Sequence, residues 1–239
     1  MLQICPDGAR RPGVHHALPV TPEAVAADVA AVATLGVTDA HVHPKDADGA
    51  DSLEPAHVAA FVSAVRAAAP GVTVGVTTGA WAAPDPSARV ATIRRWTVAP
   101  DHASVNWHEA GAEDAVRALL DAGVDVHAGL FTGLDAIDRF LASPLRGQVA
   151  RVLVEITEND VAAGVRGAEQ ILARLAPADL DVAVLLHGED ATCWPALVRA
   201  AELGLDARIG LEDTLLLPDG TVATGNVDLA AHAIALLAG

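Results

Sequence analysis

Short β-branched or apolar runs alternate with longer Ala-rich amphipathic segments along this chain, and no other feature constrains its fold as strongly. A period of two marks strands and a period near 3.6 marks helices. Strands are expected near Leu2–Cys5, Thr38–His43, Thr73–Thr77, Ala103–Asn106, Asp125–Leu130, Arg151–Glu155, Val182–Leu186 and Ala207–Ile209. Helices follow near Pro22–Leu35, Pro55–Ala69, Ser87–Trp96, Ala112–Ala122, Leu134–Leu141, Gly164–Leu175, Trp194–Leu203 and Asn226–Leu237. Thr21 before Pro22 suits an N-cap with proline at the first helical position, and Glu23 suits the positive end of the helix dipole. Gly36, Gly71, Gly123 and Gly204 fall just after helical segments, where left-handed caps belong.

Eight such units in 239 residues fit an α/β chain folded as one (β/α)8 TIM barrel, a fold of about 250 residues. No linker or composition change divides the chain, so residues 1–239 read as a single domain. An open doubly wound sheet is the alternative. Closure is favoured because only then does strand 8 lie beside strand 1 and bring the chain's two polar motifs to one mouth.

Composition narrows the function classes. Hydrophobic residues make up 52% and charged residues 19%, which predicts a large core. No apolar run reaches the ~18 residues of a transmembrane helix, and the N-terminus lacks a signal-peptide core. Cys5 and Cys193 make neither a disulfide framework nor a zinc module, so a reducing cytoplasm is expected. A net charge of −16 argues against nucleic acid and anionic membranes as partners, while local arginines still permit a small anionic substrate.

The two motifs are Asp39-Ala40-His41-Val42-His43 and Arg208-Ile209-Gly210-Leu211-Glu212-Asp213. Residues i and i+2 of a strand share a face, so His41 and His43 can hold one metal ion, and Glu212 supplies a carboxylate. Two His and one carboxylate with room for substrate form the ligand set of a catalytic zinc site. The alternatives are a pair of hydrogen-bonded core histidines and a surface salt bridge among Arg208, Glu212 and Asp213. Arg208 facing the mouth would bind a substrate carboxylate bidentately. Thr77 and Thr78 end strand 3, and Ser104 and Asn106 lie on strand 4; their polar groups suit a substrate carboxylate or enolate oxygen. His127, Glu155 and His187 are candidates for the barrel mouth without an assigned role. Asp39 would either orient a ligand or be paired lower in the barrel. His15, His16, His57, His102, His108 and His232 have loop or helix contexts and receive no role.

These motifs resemble the β-keto acid cleavage enzyme family. The resemblance rests on Leu18–Glu23 before the first helix and on His41-Val42-His43-Pro44-Lys45-Asp46-Ala47-Asp48-Gly49, which follows an H-x-H-x-R-D-x-D-G signature with Lys45 in place of Arg. It rests also on Arg208–Thr214 with the turn Pro218-Asp219-Gly220. The resemblance implies a barrel in which His41, His43 and Glu212 hold Zn²⁺, Asp213 removes a proton from the carbon between two carbonyls, and Arg208 holds the carboxylate. It further implies acetyl-CoA as co-substrate, with acetoacetate and a new acyl-CoA released by a retro-Claisen route, in a homo-oligomer (dimer or tetramer). Ser104 matches a family hydroxyl and Thr77 replaces a family Ser. Arg10 stands where an amine-binding Glu occurs in the typifying enzyme. With Arg208 it is expected to favour a keto acid that is neutral or anionic beyond its carboxylate. The family patterns after strands 5 and 7 are replaced by His127-Ala128-Gly129-Leu130 and Leu186-His187-Gly188-Glu189-Asp190.

Two other readings compete. An amidohydrolase-type metal hydrolase also uses an H-x-H strand, and His127 would have to supply a further ligand. A non-catalytic keto-acid-binding barrel would need no spare acid beside Glu212.

Overall fold

Each expected strand run forms a strand of one closed parallel barrel, in sequence order. The computed structural model describes residues 1–178 and 180–238. The strands are β1 (Leu2–Ile4), β2 (Asp39–Val42), β3 (Thr73–Thr77), β4 (His102–Asn106), β5 (Asp125–Phe131), β6 (Arg151–Ile156), β7 (Ala183–Gly188) and β8 (Asp206–Ile209). The helices are α1 (Pro22–Ala33), α2 (Pro55–Ala68), α3 (Pro86–Ile93), α4 (Ala112–Asp121), α5 (Ala136–Ala142), α6 (Val161–Leu175), α7 (Cys193–Leu203) and α8 (Asn226–Ala238). β1 pairs with both β2 and β8, so the open sheet is excluded and the two polar motifs flank one strand. No helix among the described residues is long and apolar enough to cross a membrane.

Local chemistry sets the helix starts. Thr21 Oγ1 accepts from Ala24 N at 3.2 Å, as expected, and Asp85 and Asp160 cap α3 and α6 in the same way at 2.7 Å. Gly36, Gly123 and Gly204 adopt the positive φ of a helix-ending cap. Gly71 does not: α2 already stops at Ala68, and Pro70 lies between it and the glycine.

Alternate strand residues divide the molecule into two interiors. One parity, including Val42, Val74, Val76, Val126, Val152 and Ile209, is buried beneath the helices. Each such side chain contributes roughly 1.5–3 kcal/mol by leaving water. The other parity fills the barrel, where polar residues predominate around Leu153 and Leu185. On the floor, Asp39 accepts from Gln3, Thr73, His102 and Arg151 at 2.8–2.9 Å. His127 stacks on His102 with ring centroids 4.0 Å apart. Gly75 makes this possible, because a Cβ there would lie 1.9 Å from the His102 ring.

This floor corrects two expectations and decides between the two readings of Asp39. His127 belongs to it and not to the mouth. His102 is inside the barrel on β4, not in a loop or helix. Asp39 takes the lower, paired alternative. Register turns all three inward, with Asp39 paired to Thr73, Gly75 to His102 and His127 to Arg151, and the bonds to Asp39 and the stacked rings gather them in the floor.

The floor predicts an acid-labile fold. Burial would raise the Asp39 pKa, but His102, Arg151 and Thr73 outweigh it and hold the carboxyl well below its usual range. A depressed native pKa gives stability that is present above the unfolded value, about 3.9, and lost as pH falls through the native one. Asp39→Asn removes that charge beside Arg151 and should cost about 3–5 kcal/mol in urea unfolding at pH 7. Its stability should also change less than wild type below about pH 4. A variant as stable as wild type at both pH values would contradict this.

Candidate active site

β2 ends by placing two imidazoles on the inner face, and the turn after β8 brings Glu212 against them. Ligand atoms of His41, His43 and Glu212 all lie within 4.8 Å of one another. His43 Nε2 is 3.4 Å from Glu212 Oε1. The other carboxylate oxygen, Oε2, is buried without a hydrogen-bond partner. An orphaned carboxylate oxygen and two converging imidazoles make a donor set that fits a divalent ion of the zinc type.

The electrostatics agree with that donor set. Burial would lower the His43 pKa, but the Glu212 and Asp51 carboxylates push it up to about 10, so this spot favours a cation. Burial dominates at His41, whose pKa is held well below its ordinary value, which favours a neutral ring able to ligate. Burial also acts to raise Glu212, yet Arg208 and the two histidines keep it well below the usual range.

Arg208, on β8, is turned toward the chain's own acids. Its Nε and Nη2 donate to Asp213 Oδ1 at 2.9 and 2.7 Å, and Nη2 also donates to Glu212 Oε1 at 3.0 Å. The fork expected to clamp a substrate carboxylate is therefore engaged in holding Glu212 and Asp213. Asp213 is fully buried, and its Oδ2 has no hydrogen-bond partner. Beyond it stands His187, with Nδ1 3.6 Å from Asp213 and Nε2 3.5 Å from Glu155. His187 is part of β7, which runs two residues beyond the expected end at Leu186.

A cavity of about 330 Å³ opens over this group, lined by Ala9, Arg10, His43, Trp81, Phe131, Glu155, Glu189, Asp190 and Glu212. Arg10 reaches it as expected, but its Nη2 pairs with Asp190 at 2.7 Å and its Nε donates to the Glu212 carbonyl at 3.1 Å. Both arginines are thus charge-balanced by the protein. The expectation of a neutral or anionic substrate loses its free cations.

The strand 3 and 4 polar groups divide. Thr78 Oγ1 donates to the Ser104 carbonyl at 2.7 Å and is spent structurally, because Thr78 lies just past the strand end with the opposite parity to Thr77. Asn106 Nδ2 is occupied by Glu109 at 2.9 Å. Thr77 Oγ1 accepts from Gly79 N and keeps its hydrogen to donate.

Four residues around the site carry no signal in the sequence. Asp51 meets His43 Nδ1, Trp81 covers His43, and Asp7 accepts from the His43 backbone N–H at 3.1 Å. Burial raises the Asp7 pKa to about 7, against His43 and Lys45. Burial, with Glu155 and Glu212 adding to it against Arg208, likewise raises Glu189 to about 7. Only the proximity of Asp51 to the H-x-H motif would have drawn attention to any of them.

A family model described as beta-keto acid cleavage enzyme matches residues 1–239. The chain belongs to the β-keto acid cleavage enzyme family. No curated protein matches this family member by sequence. Among solved structures it is similar to ObcA in a binary complex with oxaloacetate, at 17% identity and a TM-score of 0.70, covering 91% of this chain and 62% of that one. ObcA in a ternary complex with a C4-CoA adduct and oxalate aligns at 16% identity with a TM-score of 0.71 and the same coverage of 91% and 62%. A mandelate racemase/muconate lactonizing enzyme from Jannaschia sp. CCS1 aligns at 15% identity with a TM-score of 0.53, covering 98% of this chain and 64% of that one. The family member thus spans less than two thirds of the solved chains it matches, and at these identities the likeness is one of fold.

Proposed function

We propose that this barrel is a zinc-dependent β-keto acid cleavage enzyme that exchanges acyl groups between a β-keto acid and acetyl-CoA. The observation that carries the reading is the pairing of a three-ligand cluster with a fully buried acid: Arg208 Nη2 touches both Glu212 and Asp213, while Asp213 Oδ2 has no partner. Family membership and the CoA adduct in ObcA's printed title support the same reading.

His41, His43 and Glu212 would hold the zinc ion, which when bound supplies a Lewis acid at the keto oxygen. Asp213, its orientation fixed by the Arg208 fork, takes the proton from the carbon between the carbonyls. That carbon forms a bond to the thioester carbonyl and expels the CoA thiolate. The thiolate then attacks the original keto carbon, and the bond between that carbon and its neighbour breaks. The new acyl-CoA departs, and Asp213 returns its proton to the acetoacetate carbanion. Ser104 and Thr77 offer hydroxyl donors on the β3–β4 side, while Arg10 borders the cavity.

The amidohydrolase reading loses its further ligand, because His127 is stacked on His102 in the floor. The test is a panel of β-keto acids, some carrying an extra cation or anion, incubated with acetyl-CoA and zinc-loaded protein. Acetoacetate and a matching new thioester should appear together in the mass spectrum. Hydrolysis products without a thioester, or no product from any member, would overturn the assignment.

A further inference from the structure

One oxygen of Asp51 serves two rings. Asp51 Oδ2 lies 2.7 Å from His43 Nδ1 and 2.8 Å from Trp81 Nε1, so both N–H groups donate to it. Its other oxygen accepts from Lys45 Nζ at 2.7 Å, and Nζ also donates to the Gly8 carbonyl at 2.6 Å. Lys45 and Asp51 further pair through their backbones in an isolated antiparallel bridge, which fixes the carboxylate from the main chain outward. The Asp51 side chain is only 4% exposed and the Lys45 side chain 1%.

We propose that Asp51 is the positioning residue of this site: it commits His43 to ligation through Nε2 and docks Trp81 as the wall of the substrate cavity. The proposal rests on the reading of His41, His43 and Glu212 as metal ligands. A carboxylate that accepts Nδ1–H leaves Nε2 as the ring's only lone pair, and Nε2 is the nitrogen beside Glu212. Lys45 holds Asp51 in place, so the imidazole cannot turn over without breaking its contacts to Asp51 and Glu212.

Trp81 gives the arrangement a second consequence. It is 49% exposed, yet its ring lies nearly parallel to that of His43, at 13° and 6.1 Å between centroids. The indole packs where Gly79 has no side chain, since a Cβ there would come within 2.3 Å of the ring. It borders the cavity over His43 on one side and an adjoining one of about 410 Å³, floored by Arg11, Asp48 and Asp51, on the other. Among the described residues, the only side-chain hydrogen bond holding this partition is the one to Asp51.

The test measures zinc transfer from the loaded full-length protein to a chromophoric chelator. Asp51→Asn should weaken zinc affinity by about 10–100-fold in protein that circular dichroism shows to be folded at the assay temperature, although unpairing the buried Lys45 lowers its unfolding temperature. Trp81→Phe keeps the ring but loses the N–H. It should leave zinc affinity within about threefold of wild type, outside the 10–100-fold range of a lost outer partner, and raise KM for the keto acid more than it lowers kcat. Wild-type zinc affinity in a folded Asp51→Asn protein would overturn the proposal. Should that variant not fold, imidazole ¹⁵N spectra of zinc-loaded wild type decide, with the His43 signals identified by their loss in His43→Ala. Metal on Nε2 with a proton on Nδ1 is expected, and metal on Nδ1 overturns the assignment. Zinc affinity is read without turnover, so a protein inert toward every keto acid would sink the proposed function and leave Asp51's role standing.

Discussion

Asp213→Asn should leave zinc content at the wild-type level of about one ion per chain while lowering turnover by roughly 10²-fold or more. The amide matches the carboxylate in size and still accepts from Arg208 through its carbonyl oxygen, so the Arg208–Glu212 contact and the ligand cluster survive. What disappears is a base: the amide cannot take a proton from carbon. Metal content by elemental analysis and kcat by thioester formation separate the two effects. A variant that turned over normally would remove Asp213 as the base, and with it the proton transfer on which this retro-Claisen assignment depends. The binding-barrel reading has no use for a buried acid held by an arginine fork beside a cluster that could hold a metal.

Loss of a ligand should have the opposite signature. His41→Ala and Glu212→Gln should each purify with well under one zinc per chain and show no measurable turnover, because two donors cannot retain the ion in competition with buffer. Glu212→Gln also removes a negative charge beside Arg208, yet Asp213 still accepts two hydrogen bonds from it, so the fold should persist. Elemental analysis after dialysis against a chelator is the measurement. Full zinc occupancy and activity in His41→Ala would show that the histidine pair is a core feature and not a ligand set.

Arg208 illustrates how far a motif alone can lead. Its place beside two acids was visible in the sequence, and an electrostatic role followed from that. Its fork was expected to face a substrate carboxylate. In the folded chain it is closed onto Glu212 and Asp213, because the turn after β8 folds those acids back over the strand that carries it. Arg10 follows the same pattern: Asp190, its partner, lies 180 residues away and no local spacing announces the pair.

The sequence alone determined the eight alternating units, and with them the barrel, because strand and helix periodicities are local and depend on neighbouring residues only. It also determined that His41 and His43 share a face, since two residues of one strand suffice for that, and that an acid pair stands at the other end of the chain. Only the tertiary structure decided which polar residues fill which layer. His102 and His127 became floor because parallel register stacks them with Arg151 and Asp39, contacts made across as many as 112 residues. Asp51 and Trp81 reached His43 through loops whose course follows from packing and not from any repeat. Periodicity encodes the faces that residues share; the partners across those faces are set by barrel closure, which brings distant strands to within a hydrogen bond of each other.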